Sequence, residues 1–415
     1  ISRFPIRTEV LLAPGLTRRR ADRQALMFNA IAIHSSSARR QYTHALAVNS
    51  GMLLLVRTSD SYPGQADLTR LCAFPNPDVI LLDLDNPEAA LPCLEFIQRA
   101  HPDVPVICFG GTPVQHKTFR LRGVDHFLAY PPEPHAFITA LAQAIRSSHS
   151  GPIPGLYAFV PAKAGSGAST LCSSLAAVMA GALEKRVLCV DADLRCGPVA
   201  LMCDVKPRGS IQGALAAACE LDQFKWANCV TPLHGVDFLL STGSLPDSFP
   251  EWSHYFALLR FVESRYDVLL FDLPELVNDS TEEVIRRASR VVVVATQEPL
   301  SLRMADRRIS ELQKWGAPDE RIHLLVNRWS SRDTPAAEAA SLAAWQIRWR
   351  IPNDYPRARA VQAGNLAVAP SSSLGKALHE LAGDLLETDS LAEEKSSRST
   401  PFSGVFRSLV SRPQS

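Results

Sequence analysis

Residues 156–176 read LYAFVPAKAGSGASTLCSSLA. An apolar run, Leu156 to Val160, leads into a loop of small residues, Ala162 to Ser169, and then into a pattern that opens a helix. Small residues let backbone N–H groups approach an anion closely, and the helix behind them adds a positive dipole end and unpaired amides at the same point. This is chemistry for a phosphate. The usual phosphate loop, G-x-x-x-x-G-K-[ST], carries a lysine just before its hydroxyl residue, whereas this chain has Ala168 before Ser169. Further polar groups follow later apolar runs: Asp191 and Asp193 after Arg186–Val190, Asp272 after Tyr266–Phe271, TQEPLSLR after Arg290–Ala295, and Asn327 after Ile322–Val326. One aspartate behind a strand is often only a helix cap. Polar sites behind successive strands instead form the pattern of an open α/β sheet, which binds ligands at the carboxyl ends of its strands.

The elements that must position these residues follow from the rest of the chain. At 415 residues it exceeds what one core organises efficiently, so two domains and tails are expected. A formal charge of +1 gives no reason for the surface to seek polyanions, and no nucleic acid partner is expected. The nine cysteines (Cys72, Cys93, Cys108, Cys172, Cys189, Cys196, Cys203, Cys219, Cys229) form no C-x-x-C pair and have no histidine at zinc spacing, which reads as reduced core thiols of a cytoplasmic protein. With no apolar span of about 18 residues and no signal-peptide layout, the chain is expected neither to cross a membrane nor to be secreted.

Residues 1–24 form an arginine-rich arm. From 25 to 147 the candidate strands Met27–Ile33, Met52–Val56, Asp78–Leu82, Val104–Phe109 and His126–Ala129 alternate with helical stretches, including Leu91–Ala100 and Pro134–Ile145. That alternation predicts a doubly wound parallel sheet. Residues 148–154 read as a linker, and 155–387 as a second α/β domain closed by a helix over 373–386. Behind an acidic and serine-rich stretch, Phe402, Val405, Phe406, Leu409 and Val410 recur at helical spacing. Residues 401–412 are therefore expected to lie on a membrane surface or dock on a partner from a flexible tail, 388–415.

The first domain resembles the receiver domain of two-component response regulators, on DVILLDLD (78–85), PVICFGG (105–111) and GVDHFLAYPPEPHAF (123–137). In that family the aspartate matched by Asp83 is phosphorylated, with help from acidic residues after the first strand, a hydroxyl after the fourth and a lysine before the proline of the fifth. Here those places hold His34-Ser35, Phe109-Gly110 and Tyr130-Pro131. The expectation is an atypical, receiver-shaped interaction module in which Asp83 is a structural remnant.

The second domain resembles the MinD/ParA family of P-loop ATPases, whose phosphate loop reads K-G-G-x-G-K-[ST]-[ST]. Aligned there, Lys163 stands at the signature lysine, Gly165 and Gly167 at two glycines, and Ser169 and Thr170 at the hydroxyl pair; Ala164 and Ala168 depart from it. Together with a degenerate receiver, VDADLRCG (190–197) and IPNDYPRARAVQAGNL (351–366), the chain is most similar to the TadZ/CpaE group of Tad (Flp) pilus assembly proteins. The resemblance implies ATP and Mg2+ as ligands. The amides of Ala164, Gly165, Ser166, Gly167, Ala168, Ser169 and Thr170 would wrap the β-phosphate, and the Ser169 hydroxyl would hold the metal with support from Asp193 and Asp272. Asp191 and Asp193 match a D-x-D pair, one acting on water and one supporting the metal. Lys163 would reach phosphates across a homodimer, Asn327 would read adenine, and Pro352 and Asn353 would pack the base.

Magnitude decides what the missing lysine does. One charge-assisted phosphate contact contributes roughly 1.5–3 kcal/mol, so affinity falls without vanishing. Losing one preorganised donor commonly slows chemistry about a hundred- to thousand-fold. The reading is therefore a homodimeric ATP-binding localisation and assembly factor with slow or absent hydrolysis, serving pilus or secretion machinery from the inner membrane or the cell pole. The alternative is an active MinD/ParA-type ATPase that positions cargo on membrane or DNA.

Overall fold

The structure, a computed structural model, describes residues 28–398 apart from 74–76, 149–150, 244–248, 277, 279–280, 333–338, 340 and 367, with backbone alone at 219 and 388–398. Contacts divide the chain into two compact units that meet between Gly151 and Pro152. Each is an α/β sheet.

In the first unit β1 (Phe28–Ile33), β2 (Leu53–Ser59), β3 (Val79–Asp83), β4 (Val106–Phe109) and β5 (His126–Leu128) pair in parallel in the order β2-β1-β3-β4-β5. The central strand β3 is buried throughout, because helices cover both faces of a parallel sheet and leave no side for polar residues. Its last residue, Asp83, arrives beside the loop that follows β1.

The second unit holds an eight-stranded sheet in the order β13-β12-β11-β6-β10-β7-β9-β8. Its strands are β6 (Ile153–Pro161), β7 (Val187–Asp191), β8 (Thr231–Leu233), β9 (Val236–Leu239), β10 (Val268–Asp272), β11 (Ala288–Thr296), β12 (Ile322–Trp329) and β13 (Ile347–Pro352). Pairing is parallel except between β8 and β9. Alternation along β6 sorts its side chains into two cores. Leu156, Ala158 and Val160 face the layer containing helices 252–262 and 299–314, while Tyr157 and Phe159 face helices 168–181 and 373–398. The Tyr157 hydroxyl donates to the Leu385 carbonyl at 3.1 Å, which fixes the closing helix on the central strand.

Several boundaries differ from the sequence expectation. Ile153 and Pro154, placed in a linker, open β6, because Ile153 pairs with Ala288, the first residue of β11. The β8–β9 hairpin was not foreseen, since Pro232, His234 and Gly235 break the alternation; the last two take left-handed backbone to make the turn. The closing helix runs from Ser373 to Arg398, past its expected end. Residues 1–24 and the segment 401–412 lie outside the described residues. Every cysteine whose side chain is described is a free thiol.

Candidate functional site

The phosphate-loop residues sit between β6 and helix 168–181. Gly165 and Gly167 both take left-handed backbone, φ +79 and φ +94, which only glycine adopts cheaply. Gly167 caps the helix without any side-chain cap bond, so the amides of its first turn stay available to an anion. Ala168, Ser169 and Thr170 open that helix, Ala164 and Gly165 are exposed on the loop's outer side, and Ser166 is buried. Ala168 is buried at the position where a loop lysine would stand.

Beneath the loop, register brings two carboxylates together. Asp191 and Asp272 end β7 and β10 as direct partners. Asp191 accepts from the Val199 amide at 3.1 Å and the Asp193 amide at 3.2 Å; burial nevertheless pushes its carboxyl up to about 7. Asp272 is raised well above the carboxylate range by burial and by the neighbouring charge of Asp191, partly offset by a hydrogen bond from the Ser169 hydroxyl. A buried carboxylate pair next to a serine at the mouth of an amide-lined loop is short of positive charge, and Mg2+ with phosphate oxygens fits that need. Among the described residues no three His, Cys, Asp or Glu side chains cluster to chelate a metal. Such a site suits Mg2+, which keeps waters and phosphate oxygens and takes few protein ligands.

Other residues named from the sequence have partners of their own. Asp193 Oδ1 accepts the amides of Arg195 and Cys196, both at 3.0 Å, so that oxygen serves its own loop. Lys163 Nζ forms an ion pair with Glu298 at 3.0 Å. Asn327 donates to the Ser166 carbonyl at 2.9 Å and accepts the Arg328 amide at 2.9 Å. Pro352 ends β13 beside Trp329, whose carbonyl accepts the amide of the following Asn353 at 3.0 Å. Sequence reasoning missed Glu298 and Arg328. Arg328 donates to the Gly165 carbonyl at 3.0 Å and braces the loop from outside; the only signal was position, Glu298 just past the end of β11 and Arg328 in the last residues of β12.

A second polar cluster occupies the first unit. Asp83 is buried, and its carboxylate accepts from the Ser35 amide (3.1 Å), the Ser35 hydroxyl (3.0 Å), the Asp85 amide (3.1 Å) and Arg39 Nη1 (2.7 Å). Arg39 also pairs with Asp85 at 2.7 Å and lies 3.7 Å over the Tyr130 ring. Asp83 is therefore the centre of a network of hydrogen bonds and an ion pair. Arg39 supplies the cation, a role invisible in sequence because the residue belongs to helix 37–50.

No protein-family profile matches the chain. The septum site-determining protein MinD of Emiliania huxleyi is 30% identical over 169 residues, 40% of this chain and 60% of that protein. MinD of Thermotoga maritima is 30% identical over 73 residues, 18% of this chain and 27% of the relative. The chain thus spans less than two thirds of the length of either. Among solved structures, a ParA family ATPase from Chlorobium tepidum superposes with a TM-score of 0.50 at 24% identity, over 55% of this chain and 98% of that one. The chain carries a ParA-like ATPase fold. Its similarity to MinD proteins is legible in sequence over those stretches, and among the described residues no helix is long and apolar enough to cross a membrane.

Proposed function

We propose that this chain is a MinD/ParA-type nucleotide-binding assembly factor that binds ATP with Mg2+ and splits it slowly or not at all, acting in the localisation and assembly of a Tad (Flp) type pilus or related secretion apparatus. The observation that carries the reading is the Ser169–Asp272–Asp191 arrangement under a glycine-shaped loop in which Ala168 stands at the lysine position.

In this reading the amides from Ala164 to Thr170 bind phosphate, Ser169 holds Mg2+, and Asp272 and Asp193 support the metal's shell. Bound Mg2+ would neutralise phosphate charge. Asp191, protonated or ionised around neutrality, is the group placed to hold or take a proton from water. Asn327, Pro352 and Asn353 line the base end, with Arg328 bracing the loop. Splitting is slow because no lysine accompanies the phosphates from within the loop.

A homodimer is supported by exposed large apolar residues on segments that follow the strand ends of this sheet: Leu201 after β7, Leu276 after β10, Leu300 after β11 and Tyr355 after β13. Isolated exposed apolar residues are ordinary, but four around one ligand face suit a partner surface. Lys163 would serve such a dimer after leaving Glu298. The first unit, with its charge network closed internally, fits an interaction module that needs no phosphorylation. The pilus assignment rests on the similarity of sequence motifs to the TadZ/CpaE group.

Isothermal titration with Mg·ATP beside a phosphate-release assay tests the reading. Binding in the micromolar to millimolar range with negligible release is the expected result. Retention of Lys163 and the D-x-D pair favours the second reading, an active ATPase, and brisk phosphate release would establish it instead. No binding up to millimolar ATP would end both.

A further inference from the structure

We propose that Arg328 brings to the phosphates of a bound nucleotide, from the end of β12, the charge that the absent loop lysine would have supplied. The inference rests on the nucleotide reading above. Ala168 leaves the first turn of helix 168–181 without a cation, and Lys163 is already paired with Glu298 at 3.0 Å. Arg328 is exposed and pairs with no carboxylate among the described residues. A triphosphate carries more negative charge than one Mg2+ neutralises, so a charge-assisted donor beside the loop adds to affinity.

The backbone around Arg328 holds it in an unusual conformation. Its φ of +56 is left-handed, rare for a residue with a side chain and kept where surrounding bonds fix it. Those bonds run to the phosphate loop. The Arg328 amide donates to Asn327 Oδ1 at 2.9 Å, Asn327 Nδ2 donates to the Ser166 carbonyl at 2.9 Å, and Arg328 Nη2 donates to the Gly165 carbonyl at 3.0 Å. Two consecutive residues near the carboxyl end of β12 thus grip two consecutive carbonyls of the loop, at the end of the strands where an open α/β sheet binds ligands. One guanidinium N–H is spent on Gly165, and the others remain for phosphate oxygens, whose spacing a planar guanidinium matches in pairs. Because Gly165 precedes helix 168–181, the cation stands beside the loop and not in the helix's first turn, which suits holding phosphate more than following its transfer.

Two variants separate the charge from the brace. Arg328→Gln keeps a donor for the Gly165 carbonyl and removes the charge, whereas Arg328→Lys keeps the charge. In isothermal titration of the full chain with Mg·ATP, Arg328→Gln is expected to bind about tenfold or more weakly than the parent, and Arg328→Lys within about threefold of it. Without nucleotide both are expected to keep the parent's thermal unfolding midpoint. The gap between parent and Arg328→Gln is expected to narrow as sodium chloride is raised, since salt screens an exposed charge and leaves a neutral brace untouched. An unchanged affinity in Arg328→Gln, equal losses in the two variants, or a gap indifferent to salt would each overturn the proposal and leave the nucleotide reading standing. Failure of the parent to bind Mg·ATP would end both.

Discussion

Asn327 donates its side-chain amide to the Ser166 carbonyl at 2.9 Å, tying the end of β12 to the phosphate loop across 161 residues of sequence. Gly167 lies under this bond, and a Cβ there would collide with Asn327 Nδ2. Gly167→Ala therefore both strains a left-handed residue and breaks the tie. The expected loss is about 2–4 kcal/mol in urea unfolding, against about 1 kcal/mol for Gly165→Ala, whose φ is also positive but whose Cβ meets open space. Equal losses at the two glycines would show that the tie contributes nothing.

Restoring a lysine tests the loop directly. Ala168→Lys is expected to tighten Mg·ATP binding by roughly ten- to a hundred-fold and to raise phosphate release by about a hundred-fold or more. Titration calorimetry and a release assay read the two effects separately. A variant that folds normally yet gains neither would mean that the loop does not cradle phosphates.

The buried Asp191–Asp272 pair sets a pH dependence with a definite sign. The folded Asp191 carboxyl titrates at about 7 rather than 3.8, so between these values the native state binds more protons than the unfolded chain. Its contribution is favourable below about pH 4 and is lost as pH rises toward 7. Asp191→Asn is expected to flatten this slope and to be about 2–4 kcal/mol more stable than the parent at pH 8, while matching it near pH 4. Chemical denaturation at both pH values measures it. Parallel pH profiles for the two proteins would refute the assignment.

Arg39 bears the opposite cost. With Asp83 buried and Ser35 and Asp85 supplying only neutral donors, Arg39→Ala leaves a carboxylate uncompensated and is expected to cost about 2–4 kcal/mol in the first unit. Asp83→Asn together with Arg39→Met removes both charges and should recover most of that loss. Acetyl phosphate should leave the parent mass unchanged by mass spectrometry. An adduct abolished by Asp83→Ala would show that the network opens to phosphorylation.

Much of the site was legible because its signals are local. The glycine spacing of 163–170, the apolar run before it and the aspartates at strand ends each occupy a few consecutive residues, and strand ends are where parallel sheets present polar groups. The strands of the first unit emerged for the same reason, each being a short apolar run bounded by polar residues. The β8–β9 hairpin stayed hidden because its turn residues interrupt the two-residue period. Arg39, Glu298 and Arg328 stayed hidden because each acts on a residue far away in the chain.

By itself the sequence determined the α/β class, the loop without its lysine and the set of carboxylates at strand ends, since backbone preference and hydrophobic period are properties of neighbours in the chain. Only the tertiary structure decided that Asp191 stands beside Asp272, that Lys163 faces Glu298 and that Arg39 closes over Asp83. The first two pairings depend on strand order in the second unit, in which β6 lies between β11 and β10 and β7 follows β10, and the third on β1 lying beside β3 in the first. Strand order is settled by which apolar faces pack together across the whole sheet, and no short stretch of chain carries that information.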